Sequence, residues 1–243
     1  MSFLDRIFSK PTAHAPSAEP PGPAAEEMRK YRKANVGKNT FLDATVHVLG
    51  WKNVRIGQDC VVGEYTWLNV NHRDAEEPAI VIGDSCFVGR RNFFSAARRI
   101  RLGAYCLTGT ECRFLGANHV FTSPFVPYIK SGVTTEGEID IGVNCWLGAD
   151  VTVLGNVRIG HGSIIGACTV VTRDIPPFSL AVGNPARVLR RYDIARAEWV
   201  PVQANEPAPP VPDEQEYEAG LRRDYPRCKG PKLAASTALG DLP

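Results

Sequence analysis

The sequence predicts an all-β protein, a triangular parallel β-helix, on three observations. Aliphatic residues recur every six positions. Glycine follows them in a pattern that repeats every eighteen. Every stretch of extra residues falls at the same point of that cycle. No amphipathic α-helix has this period, and long internal repeats mark stacked architectures.

The six-residue slot is occupied by Val36, Leu42 and Val48; Ile56, Val62 and Leu68; Ile82, Val88 and Phe94; Leu102, Thr108 and Phe114; Ile141, Leu147 and Val153; and Ile159, Ile165 and Val171. That makes six groups of three, with Val, Ile or Leu at fifteen of the eighteen slots. The next position is Gly in eleven of the twelve first and second hexads, Asp43 being the exception, and in none of the third hexads. Three unequal sides per coil follow. The aliphatic residue points inward, and Gly suits the backbone a tight corner demands. Coils paired at about 4.8 Å give a prism of roughly 29 Å. Cys60, Cys86, Cys106, Cys112 and Cys145 all take the fifth hexad position, which reads as an inward ladder of small core residues.

Between successive coils the chain inserts 2, 8, 2, 21 and 0 residues, the longest insertions being 74–81 and 120–140. All leave from one corner, and loops on a rigid scaffold are where function concentrates. Prolines cluster before residue 24 and after residue 200. The expected organisation is a disordered tail over 1–32 and a β-helix over 33–176 with an active-site loop at 116–140. A strand/helix cap over 177–200 and a mostly disordered tail over 201–243 follow. Within the cap, Asn184 and Pro185 read as the start of a short helix that turns Val188, Leu189 and Tyr192 inward.

Composition excludes several classes. The chain is 44% hydrophobic and 22% charged with a net charge of +2, which is ordinary for a globular protein and leaves no basic footprint for nucleic acid. No apolar run is long enough to span a membrane, and the first ten residues do not read as a secretory signal. The seven cysteines then read as free thiols of a cytoplasmic protein.

The stretch 141–192, with its W-L-G, V-V-T-R-D-I-P and G-N-P-A-R motifs, and the tetrapeptide GANH at 116–119 resemble the hexapeptide-repeat acyltransferases, specifically the sugar O-acetyltransferases of galactoside, maltose and exopolysaccharide type. The similarity covers about residues 33–195. It implies a left-handed coil, a homotrimer with active sites between subunits, and acetyl-CoA as acyl donor without a metal. By the resemblance, His119 is the general base; Ala149 and Ala167 line the pantetheine, with the Ala149 N–H as oxyanion donor. Thr172 and Arg173 lie near the 3′-phosphate, Arg187 and Arg190 match further basic positions, and Asn69 and Glu77 match acceptor contacts.

The residues themselves agree with such chemistry. A protonated alcohol needs a base to attack a thioester, and imidazole titrates in the right range. Of the five histidines, His14 lies in the tail, His47 and His161 fall inside regular hexads, and His72 precedes the shorter loop as a second candidate. A catalytic zinc on the same prism needs about three protein ligands, and the 116–140 region offers His119 alone. The expected function is transfer of an acetyl group to a hydroxyl of a sugar or cell-surface saccharide precursor. N-acetylation of an amino sugar or antibiotic, or a non-catalytic scaffold, are the alternatives. An arginine cluster (Arg90, Arg91, Arg98, Arg99, Arg101) reads either as an attractor for an anionic acceptor or as a solvated side.

Overall fold

The computed structural model describes residues 23–203, 207–226 and 228. Three parallel sheets form the sides of a prism. The first side stacks Val54–Ile56, Ile80–Ile82, Arg99–Leu102, Glu138–Ile141 and Val157–Ile159. The second runs from Phe41–Leu42 to Ser179–Val182, and the third from His47–Leu49 to Val170–Val171. The strand register carries the six-residue slot directly: Ile56 pairs with Ile82, Val62 with Val88, and Leu68 with Phe94. From Ile56 onward every slot residue is buried, Thr108 included. Phe94 and Phe114 stack at a centroid distance of 4.4 Å in the middle of the core. The stack continues past the sixth coil, because Ile175 bridges Ile159 and Ala181 pairs with Ile165. The shortened spacing after Val171 hides these slots in the sequence.

The corner glycines serve close stacking rather than an unusual dihedral. A Cβ on Gly103 would lie 2.6 Å from the Val143 nitrogen, and one on Gly109 would lie 2.6 Å from the Ala149 nitrogen. The left-handed backbone sits two residues later instead, at Asn39, Asp59, Ser85, Tyr105 and Asn144. The expectation that these glycines supply the corner's conformation is therefore corrected: they let one coil's backbone touch the next.

The fifth position also has a chemical reason. Thr40 Oγ1 donates to the Gly57 carbonyl at 2.6 Å, and the thiols of Cys60, Cys86, Cys106 and Cys145 donate to Gly83, Gly103, Gly142 and Gly160 at 3.0–3.2 Å. A small donor at this corner satisfies a carbonyl of the next coil that would otherwise be buried without a partner. Burial pushes the Cys86 and Cys145 thiols well up and the Cys112 thiol to about 11.

The cap differs from expectation. Residues Arg187–Asp193 form a strand, not a helix, antiparallel to Ser179–Val182, and Glu198–Pro201 pairs with it in turn. The last coil ends in an open sheet edge whose N–H and C=O groups need partners. A returning strand supplies them; a helix would not. Val188 packs against the core, whereas Leu189 is exposed.

Two helices lie where disordered tails were expected. The helix α1 (Pro23–Asn35) has Glu26 early and Arg32 and Lys33 late, as the helix dipole favours. Asn35 Nδ2 ties its end to the Trp51 carbonyl at 2.8 Å. The helix α2 (Glu214–Asp224) is capped by Asp213, which accepts from the Glu216 N–H at 2.8 Å. It docks on the first side: Glu214 accepts from Arg101 and from the Val143 N–H, and Arg222 pairs with Asp84. Tyr217 packs against Phe178 and His161, and His161 Nε2 donates to the Pro212 carbonyl at 3.1 Å. Residues 1–22, 204–206, 227 and 229–243, on which the rest of the tail expectation and His14 fall, lie outside the described residues.

Candidate active site

The insertions all emerge at the corner between the third and first sides. The longest one begins where Gly116 and Ala117 both donate to the Ser95 carbonyl at 3.0 Å and ends where Arg98 N–H donates to Gly137 at 3.1 Å. A Cβ on Gly137 would fall on the Gly116 carbonyl oxygen, so only glycine lets the two ends of the loop meet. Above this neck the chain makes a narrow hairpin. Thr134 N–H donates to Asn118 O at 2.7 Å, Val120 N–H to Gly132 O at 3.1 Å, and His119 bridges Val133.

His119 therefore sits on a hydrogen-bonded ladder, not on a free coil. Its N–H donates to its neighbour's Asn118 Oδ1 at 2.9 Å. Its side chain is exposed, and its ring makes no hydrogen bond among the described residues. At the base of the hairpin lies a cleft of about 400 Å³ lined by Asn118, Phe121, Thr134, Glu136 and Asn156, with His119 itself outside the lining. The hairpin tip is apolar and exposed, with Phe125 at 93% and Ile129 at 90%.

Asn69 lies on the outer face of the third side, in register with Ser95, which is in turn in register with Leu115 just before the loop. Its Nδ2 donates to Asn71 Oδ1 at 3.1 Å, and Asn71 is anchored to Ser95 and Ala96. Glu77 is exposed on the eight-residue loop, so both residues border the corner that carries His119. That loop is held by a residue the sequence reading did not single out. Asn53 is 1% exposed, and its Nδ2 donates to Ala75 O at 2.6 Å and Glu77 O at 3.3 Å.

Ala149 and Ala167 occupy a different corner, between the second and third sides. The chain stacks them one above the other, with Cys168 N–H donating to Ala149 O at 2.9 Å. The Ala149 N–H makes no hydrogen bond among the described residues. Within one chain the whole third side separates this edge from the edge that carries His119. Thr172 and Arg173 stand exposed at the His119 edge, beyond the last complete coil. Arg187 and Arg190 pair with Val182 and Leu180 at the far end of the second side. Among the described residues none of these three arginines has a carboxylate partner. The other cluster is different: Arg90 pairs with Glu64, Arg91 with Glu111, Arg98 with Glu138, and Arg101 with Asp140 and Glu214. Arg90, Arg91 and Arg98 pair at the surface, while Arg101 lies half-covered under α2. Along the second side an apolar column faces outward, with Phe41 46%, Leu107 39% and Trp146 52% exposed.

The repeat is matched by the bacterial transferase hexapeptide (six repeats) family over residues 139–173. Residues 139–173 thus carry the hexapeptide repeat of the bacterial transferases. A Staphylococcus aureus (strain MRSA252) protein that bears a provisional acetyltransferase name is 40% identical over 114 residues, 47% of this chain and 56% of that protein. A second S. aureus relative (strain Mu50), named in the same way, is 42% identical over 111 residues, 39% of this chain and 56% of that protein. The chain thus spans just over half the length of these hexapeptide-repeat relatives. Among solved structures, AntD, an N-acyltransferase from Bacillus cereus in complex with dTDP and coenzyme A, superposes with a TM-score of 0.58 at 17% identity. The match covers 83% of this chain and 95% of that one. The fold is the left-handed parallel β-helix of these proteins.

Proposed function

We propose that this chain is an acyltransferase that moves an acetyl group from acetyl-CoA to a hydroxyl of a sugar or cell-surface saccharide precursor, in the cytoplasm. The observation that carries the reading is His119, an exposed imidazole with a free ring on a pinned hairpin whose base borders a cleft. A base in that setting takes the acceptor hydroxyl proton as the oxygen attacks the thioester carbonyl. The carbon–sulfur bond then breaks, and the proton passes to the departing thiolate. The free Ala149 N–H is a donor suited to the oxyanion that develops on the carbonyl. The guanidinium groups of Arg173, Arg187 and Arg190 have the charge and geometry for coenzyme A phosphates. Asn69 and Glu77 offer hydroxyl contacts at the acceptor side.

His119 and Ala149 stand at different edges, so a complete site needs a second copy. A homotrimer supports both facts: it covers the apolar column on the second side and brings one copy's base to another's donor edge. Light scattering on the purified chain reads the subunit number directly.

His119→Ala should lower turnover by roughly a hundred- to ten-thousand-fold, the usual worth of a positioned general base, and leave acetyl-CoA binding nearly unchanged. Free-thiol release, measured across a panel of sugars, sugar nucleotides and amino sugars, reports both the reaction and the acceptor. Near-wild-type turnover in a folded His119→Ala variant removes the assignment. Acceptance of amines alone replaces O-acetylation by N-acetylation.

A further inference from the structure

We propose that His72 is a positioning residue: its imidazole ties the eight-residue loop to the hairpin that presents His119. For its catalytic consequence this rests on the acetyl-transfer reading above. His72 Nε2 lies 3.0 Å from the Thr134 carbonyl oxygen. A carbonyl only accepts, so this ring nitrogen carries the proton and donates. Thr134 is the hairpin residue opposite Asn118: its N–H donates to Asn118 O at 2.7 Å, and its Oγ1 accepts from Asn118 N–H at 3.1 Å. His119 follows immediately and bridges Val133. Among the described residues, His72 is the one side chain outside segment 118–134 that hydrogen-bonds to it.

The anchor under His72 is firm. Asn53, buried in the first-side corner, holds the carbonyls of Ala75 and Glu77, and Ala79 N–H returns a bond to Asn53 O at 2.8 Å. Asn71, the residue before His72, is fastened to Ser95 and Ala96 of the next coil. His72 is half-buried between these fixed points and the hairpin. The hairpin itself ends in an apolar tip at which Phe125 is 93% and Ile129 90% exposed. Without the His72 bond, the ladder that carries the base would be held only at its neck. The same contact joins the Glu77 loop to the base, so acceptor-side and base-side groups keep one relative position.

The test uses the full chain with His72→Phe, which keeps an aromatic body and removes the donor, and His72→Gln, which restores an amide donor. Hydrogen exchange is followed in segment 117–134 and, as a reference, in the prism core. In His72→Phe the hairpin amides should exchange about fivefold to tenfold faster, the usual worth of one hydrogen bond. Core amides should not change, and His72→Gln should return toward wild type. Acetyl transfer should fall by a similar factor in His72→Phe, with the Michaelis constant for acetyl-CoA unchanged. Wild-type hairpin exchange in His72→Phe overturns the proposal. So does abolished turnover in both variants with the hairpin still protected, which would make His72 a base in its own right. If the exchange pattern appears but the unmodified chain transfers no acetyl group, the tie stands and the acetyl-transfer reading fails.

Discussion

Glu214 Oε1 accepts a hydrogen bond from Arg101 Nη2 at 3.1 Å across 113 residues of chain. The same carboxylate accepts from the Val143 N–H at 3.0 Å and pairs with Arg158 at 3.3 Å. One side chain, 19% exposed, thus fastens α2 to three consecutive coils. Burial pushes the Glu214 carboxyl up, but Arg101 and the Val143 N–H outweigh it and hold the group below its ordinary value.

A depressed carboxyl stabilises the folded form above its unfolded pKa, about 4.3 for Glu, and that stability is lost as pH falls through the lower folded value. Helix α2 should therefore stay docked at neutral pH and loosen below about pH 4. Glu214→Gln keeps the shape and removes the charge, and should weaken docking by about 1.5–3 kcal/mol, the worth of a hydrogen bond to a charged group. Hydrogen exchange in segment 214–224, compared with the core, reads both effects. Equal protection of the helix at pH 3.5 and pH 7 would show that this carboxylate does not hold it.

The corner geometry makes an opposed pair of predictions. Gly103→Ala would set a Cβ 2.6 Å from a backbone nitrogen of the next coil, and the backbone cannot retreat without opening the ladder. A loss above about 2 kcal/mol is expected, in the range of overpacked cores. Ser85 carries φ 56°, a conformation that costs an L-residue about 1–2 kcal/mol. Ser85→Gly relieves that strain and loosens the unfolded chain, so it should lie between neutral and about 1 kcal/mol more stable. Denaturant midpoints decide; equal destabilisation by the two changes would contradict the assignment of roles.

The prism was legible because its signal is repetitive. Eighteen slots with one spacing leave no other fold, and the insertion corner follows from counting. The origin of the corner glycines was not legible, since a periodic Gly looks the same whether it serves a dihedral or a close contact. The two helices and the closing strand depend on docking to surfaces that exist only once the coils stack. Arg187–Asp193 pairs with an edge that no local pattern announces. Helix α2 did leave a mark, Asp213 followed by Glu216 at capping-box spacing, inside a proline-rich segment that reads as a tail. His119 stood out through its place before the longest insertion and its GANH setting. Asn53 and His72 act on carbonyls, which have no sequence signature.

Thiol reactivity should separate the cysteines into two sets. Cys60, Cys86, Cys106, Cys112 and Cys145 are buried, and Cys168 and Cys228 are exposed. An aromatic disulfide reagent near neutral pH should titrate two groups at once and the remaining five only on unfolding, because the thiolate is the reactive form and burial disfavours it. Prompt reaction of all seven would mean that the corner column opens in the native protein. Cys106→Ser keeps the donor to Gly142, whereas Cys106→Ala leaves that carbonyl unpaired. The alanine variant should be the less stable by about 1 kcal/mol.

Arg173 stands at the His119 edge, while Arg187 and Arg190 stand at the end of the second side, and none has a carboxylate partner among the described residues. Exposed cations without partners add little to stability, so replacing them should leave the thermal midpoint nearly unchanged. If they hold coenzyme A phosphates, each contributes a charge-assisted hydrogen bond in ground state and transition state alike. Arg173→Ala and Arg187→Ala should then raise the Michaelis constant for acetyl-CoA by about tenfold while turnover changes little, the pattern of lost uniform binding. The 3′-phosphate assignment makes a narrower demand. The unmodified protein should prefer acetyl-CoA over its dephospho form, and Arg173→Ala should erase most of that preference while Arg187→Ala keeps it. Equal use of both donors by the unmodified protein would remove Arg173 from the 3′-phosphate. Loss of the preference in Arg187→Ala instead would place that phosphate at the end of the second side, and Arg173 would then be free to serve the acceptor at the edge it shares with His119.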